Sequence, residues 1–509
     1  MILEAKDVNG DITEDVDVVV IGSGAGGGPF AYEMAKAGKR VLILEAGGYY
    51  TSADFSEEEM EMVNKLYVDG GNQGPADGSI HILQGKCVGG SSTVNAMMCF
   101  HPPEKILNKW ASEHGVVGLS LPELMPVIEE VEDIIHVHEA LPHEINAANR
   151  LVMKGCEELG WHNAPLRRNT KECLVSGSCM MGCAFDRKRS VLVTFVPMAV
   201  EAGARLYADT EVQTIQTKEG RATGVSAQVK DRDSGVVKGR LTVNAKVVVV
   251  CAGAIQSPCI LQRSRLANSS GMVGRNLAVH PGIVTGGLFE QQLNAWRGGV
   301  CGSYSAEFAD DARGGYYIEG GTMGPAMGGQ ALPGFGEEYR DIMRQYSHIA
   351  TGNAIVHDSC AGAVTYNPDT GRADIEYEMD EDTARRSRDS IKQMARMWFA
   401  AGAKRVYTPF VEPLVLDSVD EIGRIDGRSM GPNQLTVVSY HPQATVRMGG
   451  DPRTSVINSK GECHDVRNLF VADASIFPTS IAVNPQVSVM AIAMHFARGI
   501  LADQDRYFS

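Results

Sequence analysis

The sequence predicts an α/β fold: a nucleotide-binding domain with a parallel sheet and a β-meander, interrupted by an inserted α+β domain with an antiparallel sheet. Three observations predict it. A β-branched run near the N-terminus passes directly into a glycine-rich turn and then a helical pattern. Two further runs suited to buried strands come only after residue 245. Between those two runs lies a long stretch of different character, rich in paired glycines.

The first run, Val16 to Ile21, reads VDVVVI, as expected of a strand buried on both faces. It leads into Gly22-Ser23-Gly24-Ala25-Gly26-Gly27, which fits G-x-G-x-x-G. A helical pattern follows from Pro29 to Ala37. Pro29 suits a first turn that has no use for its missing N–H, and Gly38 suits the terminator position. A second strand, Arg40 to Leu44, ends at Glu45, 18 positions beyond Gly27. This is the Rossmann-like β-turn-α-β unit. Gly22 makes the turn, Gly24 lets a pyrophosphate approach the backbone, and Gly27 lets the helix pack against the strand. The helix N-terminus offers N–H groups to phosphate, and Glu45 accepts from adenosine ribose hydroxyls, with Ala25 and Ala46 beside them. The unit suits FAD and NAD equally.

The later elements complete the sheet. Lys246 to Cys251 reads KVVVVC and leads into Ala252-Gly253-Ala254, while Asn468 to Ala472 reads NLFVA and leads into Asp473-Ala474-Ser475. Both read as parallel strands of the first sheet, which makes the nucleotide-binding domain discontinuous. Alternation between Ala204 and Val250, with turns at Glu219-Gly220 and Asp233-Ser234-Gly235, reads as a meander. Asp380 to Ala401 reads as a helix with a charged face. The expected division is 1–100, 186–285 and 428–509 for the nucleotide domain and 286–427 for the inserted substrate-binding domain. Residues 101–185 form a helical and loop segment between them.

Composition narrows the function. The 509 residues carry 47 Lys plus Arg against 62 Asp plus Glu, a net charge of −15, which argues against nucleic acid or an anionic membrane as partner. The longest apolar stretch, Ser488 to Leu501, is interrupted by His495 and Arg498 and is too short to span a bilayer. The N-terminus is acidic and lacks the pattern of a signal peptide, so the expected location is cytoplasmic unless a partner subunit carries it out. Eleven cysteines in such a chain point to free thiols or metal ligands.

Several separated motifs then agree with one family. They are Gly85-Lys86-Cys87-Val88-Gly89-Gly90-Ser91-Ser92-Thr93-Val94-Asn95, Gly253-Ala254-Ile255-Gln256-Ser257-Pro258 and Val273-Gly274-Arg275-Asn276-Leu277. Towards the C-terminus come His441-Pro442-Gln443-Ala444-Thr445-Val446-Arg447-Met448-Gly449, Val471-Ala472-Asp473-Ala474-Ser475 and Asn484-Pro485. In order and spacing the chain resembles the glucose–methanol–choline (GMC) family of FAD-dependent oxidoreductases from about residue 15 to 500. The resemblance implies FAD as cofactor and oxidation of an alcohol or sugar CH–OH group by hydride transfer to the flavin. It places Gly90, Ser91, Ser92 and Asn95 along the pyrophosphate and flavin, and the Val212 backbone at the adenine. Ala252, Asp473, Ala474, Asn484 and Pro485 complete the cofactor contacts.

The same resemblance makes His441 the base for the hydroxyl proton, a task suited to imidazole. Asn484 takes the partner position, where its amide orients the alcohol oxygen. A second reading of Asn484 is helix capping, because Asn before Pro485 at the start of an apolar helical run is a favourable cap. Ala444 stands where relatives commonly have glycine, which predicts a differently shaped loop. His280, His357 and His464 have no such context and read as structural or exposed.

The remaining unusual feature is Cys173-x5-Cys179-x3-Cys183 on a glycine-containing loop. Its spacing is similar to that in cluster-bearing sugar dehydrogenase subunits of the family, which implies a three-iron (3Fe-4S) cluster on three thiolates. The following Arg187-Lys188-Arg189-Ser190 is also similar to long-chain alcohol and cholesterol oxidases, where the loop would be a metal-free turn. Electrons accordingly leave either to a quinone, a cytochrome or a small electron-transfer subunit, or to oxygen with release of peroxide. A third reading is a lyase that keeps FAD structurally. The 22 methionines favour an adaptable apolar pocket, without excluding a sugar.

Overall fold

The computed structural model describes residues 1–360 and 362–509. Its larger sheet runs, in spatial order, Ile2–Leu3, Arg205–Tyr207, Val41–Leu44, Ile12–Ile21, Val237–Val250, Arg221–Lys230 and Thr210–Lys218. The strand Val237–Val250 organises it. One edge lies parallel to Ile12–Ile21 from Leu241 to Val250. The other edge pairs antiparallel with Arg221–Lys230 along its first half and parallel with Leu469–Val471 at its end. The meander and the parallel sheet are therefore one sheet sharing a strand. Burial follows this division: positions alternate along the first half, while Val247 to Val250 are all buried. A strand covered on both faces loses its period-two pattern.

The β-turn-α-β unit forms as expected, with the helix at Gly27–Lys36. That helix packs against Phe195–Glu201 and the C-terminal helix Gln486–Ala502. Arg498 on the C-terminal helix pairs with Glu33 at 3.0 Å and Glu130 at 2.6 Å, tying it to Gly27–Lys36 and to the helix Leu121–Ile134. Asn484 and Pro485 immediately precede this helix.

The second sheet is antiparallel along its main path: Val415–Leu416, Arg405–Tyr407, Gly282–Leu288, Ile349–Val356, Tyr316–Gly320, Ser303–Ser305 and Ala164–Pro165. Val438–Ser439 pairs with Gly282 and with His81–Ile82, so segments far apart in sequence meet at one edge. The helix Glu381–Ala401 covers one face. The Asp380 side chain caps it by accepting from the Thr383 N–H at 2.8 Å, and Gly402, at φ 101°, ends it. Its Trp398 is buried and donates to Thr285 Oγ1 at 2.9 Å. The segment 101–185 divides its packing: Leu121–Ile134 lies on Gln486–Ala502, and Ala147–Glu158 lies on Glu381–Ala401. Among the described residues, no helix is long and apolar enough to cross a membrane.

Candidate active site

The glycine turn is shaped for close approach. Gly22 has φ 99°, and a Cβ on Gly27 would lie 1.9 Å from the Gly22 carbonyl oxygen. At Gly24 a Cβ would meet only Gly90 Cα, at 3.7 Å, so this position is open to a ligand. Gly26, which the motif leaves free, is equally constrained: its Cβ would lie 1.8 Å from the Ala472 oxygen, where the last parallel strand ends. The turn opens into a cavity of about 1010 Å³ lined by Gly22, Gly24, Ala25, Glu45, Ala46, Val212 and also by His441, Asn484 and Pro485. A dinucleotide and a second, smaller molecule are thus offered one continuous space, and the open backbone at Gly24 fits a pyrophosphate.

Several expected cofactor ligands are engaged with the protein itself. The Glu45 carboxylate accepts from Ser23 N–H at 3.0 Å, Ser23 Oγ at 2.7 Å and Gly47 N–H at 2.9 Å, and burial raises it above the usual carboxylate range. It holds the glycine turn as well as facing the cavity. Ser92 Oγ donates to Gly89 O at 2.6 Å and accepts from Val191 N–H at 3.0 Å. Ser91 Oγ accepts from Gly85 N–H, and Asn95 donates to Gln486 Oε1 at 2.8 Å. The Val212 carbonyl accepts from Arg263. Asp473 accepts from Gly253 N–H at 2.9 Å, Ser257 Oγ at 2.5 Å and Ser475 N–H at 2.8 Å, fastening two strand ends together. Gly90, Ser91, Ser92, Asn95, Ala252, Asp473 and Ala474 all line the cavity.

His441 and Asn484 meet across 43 residues of sequence, with Asn484 Nδ2 3.5 Å from His441 Nε2. Removal from water pushes the His441 imidazole down to about 3, so the ring is neutral near pH 7. Asn484 does not cap: the N-cap position of Gln486–Ala502 is Pro485, and it makes no side-chain cap bond. The Asn484 amide instead donates to Met98 Sδ at 3.3 Å. Ala444 adopts φ 73°, so the loop keeps a conformation that favours glycine without having one.

Three residues at or beside this site were given no role there from the sequence. His280, expected to be structural or exposed, is buried with its Nδ1 3.4 Å from His441 Nδ1 and its Nε2 2.7 Å from Ser480 Oγ. The motif Val273-Gly274-Arg275-Asn276-Leu277 lies just upstream and could have flagged it. Glu319 lines the cavity beside Asn484, and burial pushes its carboxyl up to about 8. Lys188 is buried with its Nζ donating to Thr93 O at 2.5 Å, Asn95 O at 3.1 Å and Cys179 O at 2.7 Å. Burial lowers it to about 8.

The cysteine loop lends no support to the iron–sulfur reading. Among the described residues no group of three His, Cys, Asp or Glu side chains is placed to hold a metal, Cys173, Cys179 and Cys183 included. Their sulfurs serve the loop. Cys173 Sγ accepts from Arg168 at 3.9 Å and from Val175 N–H at 3.4 Å, and Cys183 Sγ accepts from Lys188 N–H at 3.5 Å. Burial pushes the Cys179 thiol up to about 11. The Lys188 ammonium ties this loop, through Cys179 O, to the backbone at Thr93 and Asn95.

A glycine turn and a buried His–Asn pair share one cavity, an arrangement that fits a dinucleotide-dependent enzyme. Residues 63–282 and 359–493 match the N- and C-terminal GMC oxidoreductase domains, and residues 17–77 match an FAD binding domain. The chain belongs to the GMC oxidoreductase family and is an FAD-dependent flavoprotein of that family. It is 33% identical to an uncharacterised GMC-type oxidoreductase of Mycobacterium tuberculosis, over 94% of this chain and 75% of that one. It is 30% identical to a long-chain-alcohol oxidase of Arabidopsis thaliana, over 94% of this chain and 66% of that one. It is 27% identical to a 2-methyl-1,2-propanediol dehydrogenase of Mycolicibacterium austroafricanum, over 94% of both. A formate oxidase of Aspergillus oryzae shares the fold, with a TM-score of 0.73 and 17% identity over 97% of this chain and 100% of that one.

Proposed function

We propose that the protein oxidises an alcohol CH–OH group to a carbonyl, with His441 as base and Asn484 as the group that holds the alcohol oxygen. The single observation that carries this is their convergence, 3.5 Å apart, on the cavity that the glycine turn also lines. FAD, when bound, supplies the two-electron acceptor for the hydride. As the hydride leaves carbon, the neutral His441 ring takes the hydroxyl proton, so the alcohol is never required to ionise alone. Gly24 with the N-terminus of Gly27–Lys36 would take the pyrophosphate, and Glu45 the ribose. Met98, Met323, Met327 and Val284 on the cavity wall favour a substrate with an apolar body.

For the electron acceptor, a quinone or protein acceptor is supported by end-to-end similarity to a dehydrogenase. The second reading is oxygen, favoured by the higher identity to an alcohol oxidase. The test is anaerobic reduction of the bound flavin over sugars, aliphatic alcohols, aromatic alcohols and sterols, followed by reoxidation with air or with a quinone. Rapid peroxide release in air selects the oxidase. His441→Ala should retain the yellow cofactor and lose bleaching by substrate; unimpaired bleaching would remove His441 from the reaction.

A further inference from the structure

The cavity holds two buried oxygens that oxidation of a plain alcohol leaves unused. Strands Tyr316–Gly320 and Ile349–Val356 pair antiparallel with Glu319 directly opposite Asn353. Residues so paired leave the sheet on the same face, with Cβ atoms about 5 Å apart. Both side chains line the cavity. Glu319 is 1% exposed, and neither its Oε1 nor Asn353 Oδ1 has a hydrogen-bond partner. Buried oxygens left in this state are costly, and a ligand is one partner that would satisfy them. The neighbours do not supply one. Val284, opposite Asn353 on its other side, is apolar, and the Thr351 hydroxyl is spent on Gly321 O at 2.8 Å.

The pair adjoins the chemistry, because the Glu319 carboxyl faces the Asn484 amide. We infer that Glu319 and Asn353 form a second polar subsite that takes a hydroxyl on the carbon next to the one oxidised. The substrate is then a vicinal diol or polyol and not a monohydric alcohol. A hydroxyl suits the pair because it donates and accepts at once: it can donate to the unpaired amide oxygen and accept from an un-ionised acid. Burial keeps Glu319 in that acid form near pH 7, with no cation among the groups acting on it. An ammonium could only donate and would meet the acid proton.

This inference rests on the alcohol-oxidising role of His441 and Asn484, and the experiment separates the two. The FAD-loaded protein is mixed anaerobically with butan-1-ol, butane-1,2-diol and 2-aminobutan-1-ol, and with the six-carbon set, while flavin bleaching is followed. The expected result is a diol preference of about tenfold or more over the monohydric alcohol. Glu319→Leu and Asn353→Leu should each lower that ratio by about tenfold, with Glu319→Gln restoring most of it. Equal rates with diol and monohydric alcohol would overturn the subsite while leaving the oxidation reading intact. A preference for the amino alcohol would overturn the hydroxyl assignment. Bleaching by no alcohol at all would overturn both. The wild-type ratio decides the matter even if a leucine variant fails to take up FAD.

Discussion

The Nδ1 atoms of His441 and His280 lie 3.4 Å apart, with one imidazole directly behind the other. Both rings are neutral, His441 through burial and His280 through burial together with its histidine neighbours. The Ala482 N–H donates to His280 Nε2 at 3.2 Å, so neutral His280 carries its proton on Nδ1, the nitrogen that faces His441. His280 is therefore a positioning residue that holds the His441 ring in place.

Replacing His280 with Phe removes that N–H. An ordinary hydrogen bond contributes about 0.5–1.5 kcal/mol, so flavin reduction should slow by roughly twofold to tenfold. Stopped-flow bleaching measures it, and His280→Gln, which can still donate, should recover part of the rate. An unchanged rate in the Phe variant would show that His280 only packs.

The buried histidines also set the response to acid. His441, His280 and His357 are all held below the ordinary histidine value by burial. The unfolded chain takes up protons near pH 6.5 while the folded chain does not, so stability falls as pH drops below about 6.5. For His441 the window extends down to about 3. The neutral His441 ring costs about 2 kcal/mol by pH 5. Thermal midpoints of His441→Ala and wild type should converge as pH falls from 7 to 5.

Glu319 acts with the opposite sign. Its folded value of about 8 lies above the unfolded one, so the folded chain holds the extra proton and stability falls as pH rises between about 4.3 and 8. Glu319→Gln removes this term. Its melting temperature should gain on the wild type between pH 5 and 9, and a constant difference would contradict the buried, un-ionised acid.

Ala444 is a test of backbone strain. At φ 73° an alanine costs about 1–2 kcal/mol, which Ala444→Gly relieves. Against this stand about 0.8 kcal/mol for the lost buried methyl and about 0.5–1 kcal/mol of glycine entropy. The variant should be close to neutral by denaturant unfolding, whereas β-branched Ala444→Val should lose several kcal/mol.

Lys188 binds three backbone carbonyls, two on the Gly90–Asn95 turn and one on the cysteine loop. Lys188→Met leaves them buried without partners and should cost about 2–3 kcal/mol. Elemental analysis of the purified protein should find no iron, and its visible spectrum should be that of flavin alone.

The local pattern carried much of this protein. The glycine turn, the flanking strands, Glu45 and the capped helix after Asp380 were legible because each depends on neighbours within a few residues, through backbone conformation, period and caps. His441 and Asn484 were legible through their motifs. The sharing of Val237–Val250 between meander and parallel sheet was not, since a strand does not encode its partners. The thiols of Cys173, Cys179 and Cys183 have cluster-like spacing, yet in the folded loop they accept from Arg168 and backbone N–H groups. Spacing limits which side chains can meet without deciding which way they point. His280 behind His441, and Glu319 beside Asn353, are joined only by strand register and packing between residues far apart in the chain. The sequence by itself determined the nucleotide turn and the family, and pointed to the proposed pair His441 and Asn484. Tertiary structure decided how the base is supported and which second group the cavity can read, because burial and cross-strand neighbours exist only once the chain has folded.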